Sequence, residues 1–123
     1  MTPIIAITMG DATGIGPEVI VKALSRPEVY EECHPVVIGD AKRLQQALSL
    51  TKSSVVIHSI TAEAIPDTEF QPGIVQCIDL ALIPEKLPWG QISALAGDAA
   101  FRYLELAAQL AMQGTVHAIC TAP

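Results

Sequence analysis

Apolar residues along this chain follow two alternating patterns. Short continuous runs bounded by turn residues are typical of strands buried on both faces of a sheet. Between the runs, apolar residues recur every three or four positions, which predicts amphipathic helices. The runs predict five strands, at residues 4–8, 35–39, 54–60, 73–79 and 116–121, and the first, second and last of them are expected to be buried.

The first two predicted helices have clear start and stop signals. The first follows the turn at residues 9–16, carries Pro17 in its first turn and stops at Pro27. The second begins after Asp40, whose side chain is a good helix N-cap. A helix is therefore predicted after each of the first two strands.

The longest predicted helix extends from about residue 92 to 113. Ser93 is its expected N-cap and Gly114 its expected stop, while residues 80–90, with two prolines and a glycine, are predicted to be a loop. Gly97 would allow another backbone to approach the helix closely. One face is expected to be buried, and it is made of Ala96, Ala100, Tyr103, Leu104, Ala107 and Ala111.

Strands that alternate with helices predict an α/β fold with layered helices on a mainly parallel sheet. The 123 residues provide for one domain. Only Ala122 and Pro123 follow the last predicted strand, with no element to cover it. Ligands of open α/β sheets bind at the carboxyl ends of the strands. We therefore expect this chain to be the N-terminal part of a larger protein, truncated after a strand that ends near residue 121.

Composition excludes several classes of partner. Seven Lys and Arg residues against 13 Asp and Glu residues give a net charge of −6, and aromatic residues make up 4% of the chain. Nucleic-acid grooves need basic and aromatic surface, so no nucleic-acid partner is expected. No apolar run is long enough to cross a membrane, and the N-terminus lacks the basic segment of a secretory signal.

The three cysteines, Cys33, Cys77 and Cys120, form no CxxC pair. An odd number of unpaired cysteines indicates a reduced, cytoplasmic protein rather than a disulfide scaffold or a structural zinc site. Cys33 and Cys120 are expected to be buried as small apolar residues.

The turn between the first strand and the first helix is the strongest candidate for chemistry. Its sequence from Gly10 to Glu18, GDATGIGPE, lacks the Gly-Lys-Ser/Thr of a P-loop, and Val19 stands where a dinucleotide fingerprint needs a third glycine. Pro17 removes an N–H donor, and the carboxylates of Asp11 and Glu18 would repel a phosphate. The turn fits better beside a substrate hydroxyl, a nicotinamide or a metal shell. The alternative is a purely structural turn that needs a positive φ.

No catalytic acid or base can be assigned from the pattern. His34, His58 and His117 are scattered along the chain, and a lone histidine without convergent partners is more often structural than a metal ligand. The catalytic residues are therefore left unassigned, and no metal ligand is predicted within the chain.

Three blocks of the sequence resemble the 4-hydroxythreonine-4-phosphate dehydrogenase family. They are AITMGDATGIGPE at residues 6–18, GQISALAG at 90–97 and AICTAP at 118–123. The first block also resembles the GDGIGPE turn of isopropylmalate dehydrogenases, which have a related fold. Ala12 and Thr13 stand where the family usually has Pro-Ala. This departure points to the branch that acts on threonate or erythronate 4-phosphate.

The resemblance implies oxidative decarboxylation of a phosphorylated hydroxy acid, with NAD or NADP and a divalent metal ion (Zn, Mg or Mn). It also implies a homodimer of two-domain subunits with an isocitrate/isopropylmalate dehydrogenase-like fold. The metal-binding histidines and the substrate-binding His-Thr pair of the family lie beyond the segment that matches residues 121–123, so the chain alone is expected to be inactive. The residues expected to line the cleft are Asp11, Gly14, Ile15, Thr121 and Ala122.

Two other interpretations remain open from the sequence. One is a non-catalytic α/β module that binds a small molecule or a partner, and such a module should cover its last strand with a further helix. The other is a relative in the same fold group that transfers acyl groups to phosphate. A continuation of the reading frame with three dispersed histidines would favour the dehydrogenase.

Overall fold

The computed structural model describes residues 1–123, which form a five-stranded, wholly parallel sheet with helices around it. The strands are β1 Ile4–Thr8, β2 His34–Gly39, β3 Val56–Ile60, β4 Ile74–Asp79 and β5 Ala118–Thr121. Their spatial order is β3-β4-β2-β1-β5, so β3 and β5 are the edges. The predicted α/β class with a mainly parallel sheet is confirmed.

The helices cover both faces of this sheet. Connections between parallel strands are right-handed in nearly all proteins. The β1-to-β2 and β2-to-β3 connections run across the sheet in one direction, and the β4-to-β5 connection runs back. The helices are α1 Gly16–Leu24, α2 Val29–Glu32, α3 Ala41–Thr51 and α4 Ala94–Met112, with a 3₁₀ helix at Ala62–Asp67. Helix α1 of the first connection and helix α3 of the second therefore share a face and pack together, and α4 covers β1, β2 and β5 from the other side.

The predicted helix caps are confirmed. Asp40 Oδ1 accepts a hydrogen bond from Arg43 N at 2.9 Å, and Ser93 Oγ accepts one from Ala96 N at 3.2 Å. The first helix ends at Leu24, three residues before Pro27, and Ser25 N closes its last turn onto Val21 O. Neither α2 nor the 3₁₀ helix was predicted, because both are too short to show a period of apolar residues.

The buried face of α4 differs from the predicted face. Leu104 is 43% exposed, and Ala100 and Ala111 are only partly buried. The predicted set mixed the buried row of the helix with positions at its margin, which the sheet covers only in part. Gly97 also differs, because a Cβ placed on it would meet open space rather than another backbone. The residues of α4 that do pack on the sheet are Ala96, Ala99, Tyr103, Ala107 and Leu110.

The edge strand β5 was predicted to be buried, and this was wrong. All four residues of β5 are exposed, and Val56 in β3 is 59% exposed, because an edge strand has a neighbour on one side only. For the same reason Cys120 in β5 is exposed rather than buried. Cys33 is partly buried rather than buried, because it lies in the connection between α2 and β2 and not within the sheet. The fully buried thiol is Cys77 in β4, and burial raises its pKa.

No helix in the structure is both long enough and apolar enough to cross a lipid bilayer.

Candidate functional site

The candidate site lies where the five parallel strands end. The β1–α1 turn, the start of α3, the loop at residues 80–93 and the backbone after β5 all lie at this edge of the sheet. In open α/β sheets this carboxyl edge is where ligands bind. The fold therefore brings the predicted cleft residues from both ends of the sequence to one place.

The two ends of the chain are in direct contact at this edge. Gly10 has φ = +73°, and a Cβ on it would collide with the carbonyl oxygens of Ala122 and Pro123. Asp11 N donates to Pro123 O at 3.2 Å, and Ala122 N donates to Thr8 O at 3.0 Å. A glycine is therefore required at position 10 both by the backbone conformation and by the close approach of the second segment.

Asp11 shapes the turn and also faces solvent. Its Oδ1 accepts hydrogen bonds from Thr13 N at 2.9 Å and from Thr13 Oγ1 at 2.8 Å, which is an Asx-type turn. The residue itself is exposed, and Thr13 is buried beneath it. One carboxylate oxygen thus holds the turn, while the other makes no hydrogen bond within the chain.

The other predicted cleft residues differ in how much surface they offer. Ile15 is 59% exposed, Thr121 is exposed, and Gly14 and Ala122 are partly buried. The left-handed position of this turn is Gly10, and Gly14 has no positive φ. A Cβ on Gly14 would make only ordinary contacts with Asp11, at 3.5 Å or more.

Sequence reasoning missed a buried arginine beneath the turn. Arg43, in the first turn of α3, is 2% exposed; its Nε donates to Ala12 O at 2.7 Å and its Nη1 donates to Leu87 O at 2.8 Å. Its guanidinium lies 3.5 Å from the ring centroid of Trp89. The available signal was the chain's single tryptophan, in a loop that leaves the same sheet edge.

Buried polar atoms surround this arginine. Burial lowers the pKa of the Arg43 guanidinium, and the carboxylates of Asp40 and Asp11 act in the opposite direction. Asp40 is buried, and its Oδ2 accepts a hydrogen bond from Ile83 N at 3.4 Å. Arg43 Nη2 and the hydroxyl of Tyr103 are buried without a hydrogen-bond partner. Burial is also the main reason that the pKa of Tyr103 is raised.

The chain shows no arrangement of side chains able to hold a metal ion. No three His, Cys, Asp or Glu residues converge. Each histidine has a different local partner: His34 stacks on Phe70 with 4.9 Å between ring centroids, while His58 Nδ1 lies 2.7 Å from Gln76 Oε1. The Nδ1 of His117 accepts a hydrogen bond from Ile4 N at 2.9 Å.

Two concave surfaces lie against the sheet, and only one of them includes predicted cleft residues. A cavity of about 430 Å³ lies over β3 and β4, and it is lined by His58, Asp67 and Glu69 among others but by no predicted cleft residue. A smaller apolar groove of about 150 Å³ runs between α1 and β5, and Thr121 and Ala122 form part of its wall. Only the smaller groove opens beside the carboxyl edge.

The family described as pyridoxal phosphate biosynthetic protein PdxA matches residues 31–123. This chain belongs to the PdxA family. The D-threonate 4-phosphate dehydrogenase of Cupriavidus necator is 54% identical over 121 residues, which cover 98% of this chain and 36% of that protein. The resemblance to the 4-hydroxythreonine-4-phosphate dehydrogenase family, drawn from the three sequence blocks, is thereby confirmed.

Solved structures place the fold in the same PdxA group. A 4-hydroxythreonine-4-phosphate dehydrogenase from Burkholderia phymatum matches all of this chain with a TM-score of 0.95 and 50% identity, over 37% of its own length. The enzyme of that name from Klebsiella pneumoniae matches with a TM-score of 0.89 and 39% identity. The chain spans about 36% of the length of the curated relatives it matches.

Proposed function

We propose that this PdxA-family chain forms one wall of the active site of a dehydrogenase that oxidises a phosphorylated four-carbon hydroxy acid. The observation that carries the proposal is its 54% identity, over 98% of the chain, to a D-threonate 4-phosphate dehydrogenase. The Ala12-Thr13 departure from the family's usual Pro-Ala points to the same branch. D-threonate 4-phosphate is therefore our first choice of substrate, and 4-hydroxythreonine 4-phosphate is the second.

Asp11 is the residue of this wall that is able to act on the substrate. Thr13 occupies only its Oδ1, and the side chain faces solvent. Its Oδ2 would accept a hydrogen bond from a substrate hydroxyl and so orient the carbon that is oxidised. Gly14 leaves room beside the carboxylate, and the exposed Ile15 side chain would exclude water from one side of the substrate.

The substrate phosphate is expected to lie away from the turn. Asp11 and Glu18 are both acidic, and Pro17 offers no N–H at the start of α1. A dianion would be repelled here, whereas a hydroxyl group would be bound. On this proposal Thr121 and Ala122, at the end of β5, complete the same wall.

The family resemblance also implies a nicotinamide and a divalent metal. NAD or NADP, when bound, supplies the hydride acceptor for the oxidation. The residues of this chain do not fit a metal site, because no set of three ligand side chains converges. No step is therefore assigned to a metal held by this chain, and decarboxylation of the oxidised acid stays part of the proposal through the family alone.

A homodimer is likewise proposed from the resemblance. The outer face of α4 carries large apolar side chains, including Phe101 and Met112, that are exposed in the single chain. Exposed apolar patches of this kind are typical of association surfaces.

The experiment uses the complete gene product that contains this chain. Reduction of NAD and NADP is followed with D-threonate 4-phosphate, D-erythronate 4-phosphate and 4-hydroxythreonine 4-phosphate, each with Mg, Mn or Zn. We expect the highest kcat/KM with D-threonate 4-phosphate and no turnover by residues 1–123 alone. Binding of the acids without any nicotinamide reduction would favour the non-catalytic module and would refute the dehydrogenase.

A further inference from the structure

Arg43 is a buried charge that makes no ion pair. Its side chain is 2% exposed, yet no carboxylate oxygen lies within salt-bridge distance. Removing a guanidinium from water is costly unless other groups solvate it. Here two backbone carbonyls, the Gln46 side chain at 3.0 Å and the face of the Trp89 ring surround the charge.

These contacts join three segments of the carboxyl edge, and two of the segments are also linked directly, because Gly90 N donates to Thr13 O at 2.6 Å. Arg43 links α3 to the β1–α1 turn through Ala12 and to the 80–93 loop through Leu87. Gln46, one turn further along α3, donates to Glu85 O at 2.9 Å. We call Arg43, Gln46 and Trp89 the clamp.

We propose that Arg43 is a positioning residue, which fixes the carboxylate of Asp11 by holding the neighbouring Ala12 carbonyl. Ala12 is fully buried, and Asp11 precedes it directly, so a shift of the Ala12 carbonyl moves the exposed carboxylate. Displacements of about 1 Å in a substrate-positioning group can lower the rate about a hundredfold. The inference rests on the proposed dehydrogenase function.

The geometry requires arginine rather than any cation. The two carbonyls are on different segments and are reached by two different nitrogens of the planar fork, while the flat guanidinium stacks on Trp89. A lysine ammonium is a single point charge on a flexible stem, and it cannot make both carbonyl contacts while stacking in the same way. Arg43→Lys therefore keeps the charge and loses the geometry.

The first test measures kinetics and thermal unfolding in the complete gene product. For Arg43→Lys we expect kcat to fall about tenfold to a hundredfold, with a smaller change in KM. Leu48→Ala is the matched control, because Leu48 is buried on the same helix but away from the carboxyl edge. It should lower the melting temperature at least as much and leave kcat/KM unchanged. If Arg43→Lys fails to fold, Gln46→Ala replaces it and should lower kcat by a smaller factor.

The second test follows Trp89 directly. Its emission is obtained as the difference between the protein and its Trp89→Phe variant, which isolates the single tryptophan of this chain. In Arg43→Lys we expect emission at longer wavelength and stronger quenching by acrylamide, because the stacked guanidinium no longer covers the ring. Leu48→Ala should leave both properties unchanged.

The outcomes separate the two proposals. An unmodified gene product without dehydrogenase activity overturns the proposed function and the positioning role together. An active enzyme in which Arg43→Lys releases Trp89 but keeps kcat within about twofold overturns the positioning role alone. An equal fall of kcat in Leu48→Ala and Arg43→Lys, at equal loss of stability, would reduce Arg43 to a structural residue.

Discussion

Asp11 combines a structural and a proposed catalytic task that two substitutions separate. Asp11→Asn keeps an Oδ1 acceptor for Thr13 and removes the charge, whereas Asp11→Ala removes both. A hydrogen bond to a charged group contributes about 1.5–3 kcal/mol. We therefore expect kcat/KM to fall about tenfold to a hundredfold in both variants. Only Asp11→Ala should also lower the melting temperature.

Steady-state kinetics and thermal denaturation of the complete gene product check this prediction. Thr51→Val is a control for losing a hydroxyl bond outside the site, since Thr51 Oγ1 donates to Ala47 O within α3. Unaltered kcat/KM in Asp11→Asn would remove Asp11 from the proposed site and leave the turn a structural role.

Gly10 and Gly14 are predicted to respond oppositely to alanine. Gly10 has φ = +73° and faces the carbonyls of Ala122 and Pro123, so Gly10→Ala should destabilise the fold by at least about 2 kcal/mol. Gly14 has neither constraint, so Gly14→Ala should change the stability by less than about 1 kcal/mol. Chemical denaturation of both variants measures the difference. Equal destabilisation would show that the turn is packed differently.

Tyr103→Phe is expected to leave the stability unchanged or raise it by about 1 kcal/mol. The Tyr103 hydroxyl is buried without a partner, and an unsatisfied buried polar group is destabilising. Tyr30→Phe is the matched control, because the Tyr30 hydroxyl donates to Ile74 O at 3.2 Å and its removal should destabilise the fold. A clear loss of stability in Tyr103→Phe would reveal a bridging water at this hydroxyl.

At the residue scale, local signals could be predicted from the sequence and distant contacts could not. The caps at Asp40 and Ser93 were predictable because each cap bonds a residue three positions away. Arg43 bonds carbonyls 31 and 44 residues away, so no sequence pattern marks it. The sequence predicted a turn that needs a positive φ without naming the residue, since several glycines fit the motif, and in the fold Gly10 takes that conformation against Ala122.

At the scale of elements, the apolar runs located every strand but not its place in the sheet. An apolar run indicates that a segment joins a sheet, but not at which position. Similar runs occur in a central strand such as β2 and in an edge strand such as β5. The order β3-β4-β2-β1-β5 depends on which strands pair across long loops. Burial at the edges was therefore the part of the fold that the pattern could not supply.

The observed face of α4 gives a prediction at the same scale. Leu110 is 4% exposed and Leu104 is 43% exposed, although the two lie less than two turns apart. Leu110→Ala should destabilise the chain by about 2–4 kcal/mol, whereas Leu104→Ala should cost less than about 1 kcal/mol. Urea denaturation distinguishes the two. The reverse ranking would restore the face predicted from sequence.

At the scale of the whole molecule, the site was predictable as far as topology dictates it. A strand–turn–helix unit at the start and a strand at the end of a parallel sheet must both finish at the carboxyl edge. The contact of Gly10 with Ala122 realises this expectation. The sequence did not predict the contact between Arg43 and Trp89 beneath the β1–α1 turn, since neither residue belongs to a recognised motif.

The last prediction concerns residues 1–123 as an isolated chain, which we expect to self-associate. Every residue of β5 is exposed, and its outer backbone has no neighbouring strand. Apolar side chains surround this edge, with Cys120, Ala122 and Val19 lining the adjacent groove. Unprotected edge strands pair readily with a second chain. Size-exclusion chromatography at several concentrations should therefore show oligomers, and these should dissociate on dilution.

A lysine placed on this edge tests the cause of the association. Ile119→Lys puts a charge on β5, and edge charges oppose strand pairing, so the chain should shift toward the monomer. Leu50→Lys is the control, because Leu50 is also an exposed large apolar residue, but it lies on α3, at a distance from β5 in the fold. A monomeric parent chain would refute the prediction. Only Ile119 lies on the β5 edge, so strand pairing predicts dissociation in Ile119→Lys alone. Equal dissociation in both variants would instead attribute the association to the apolar surface in general.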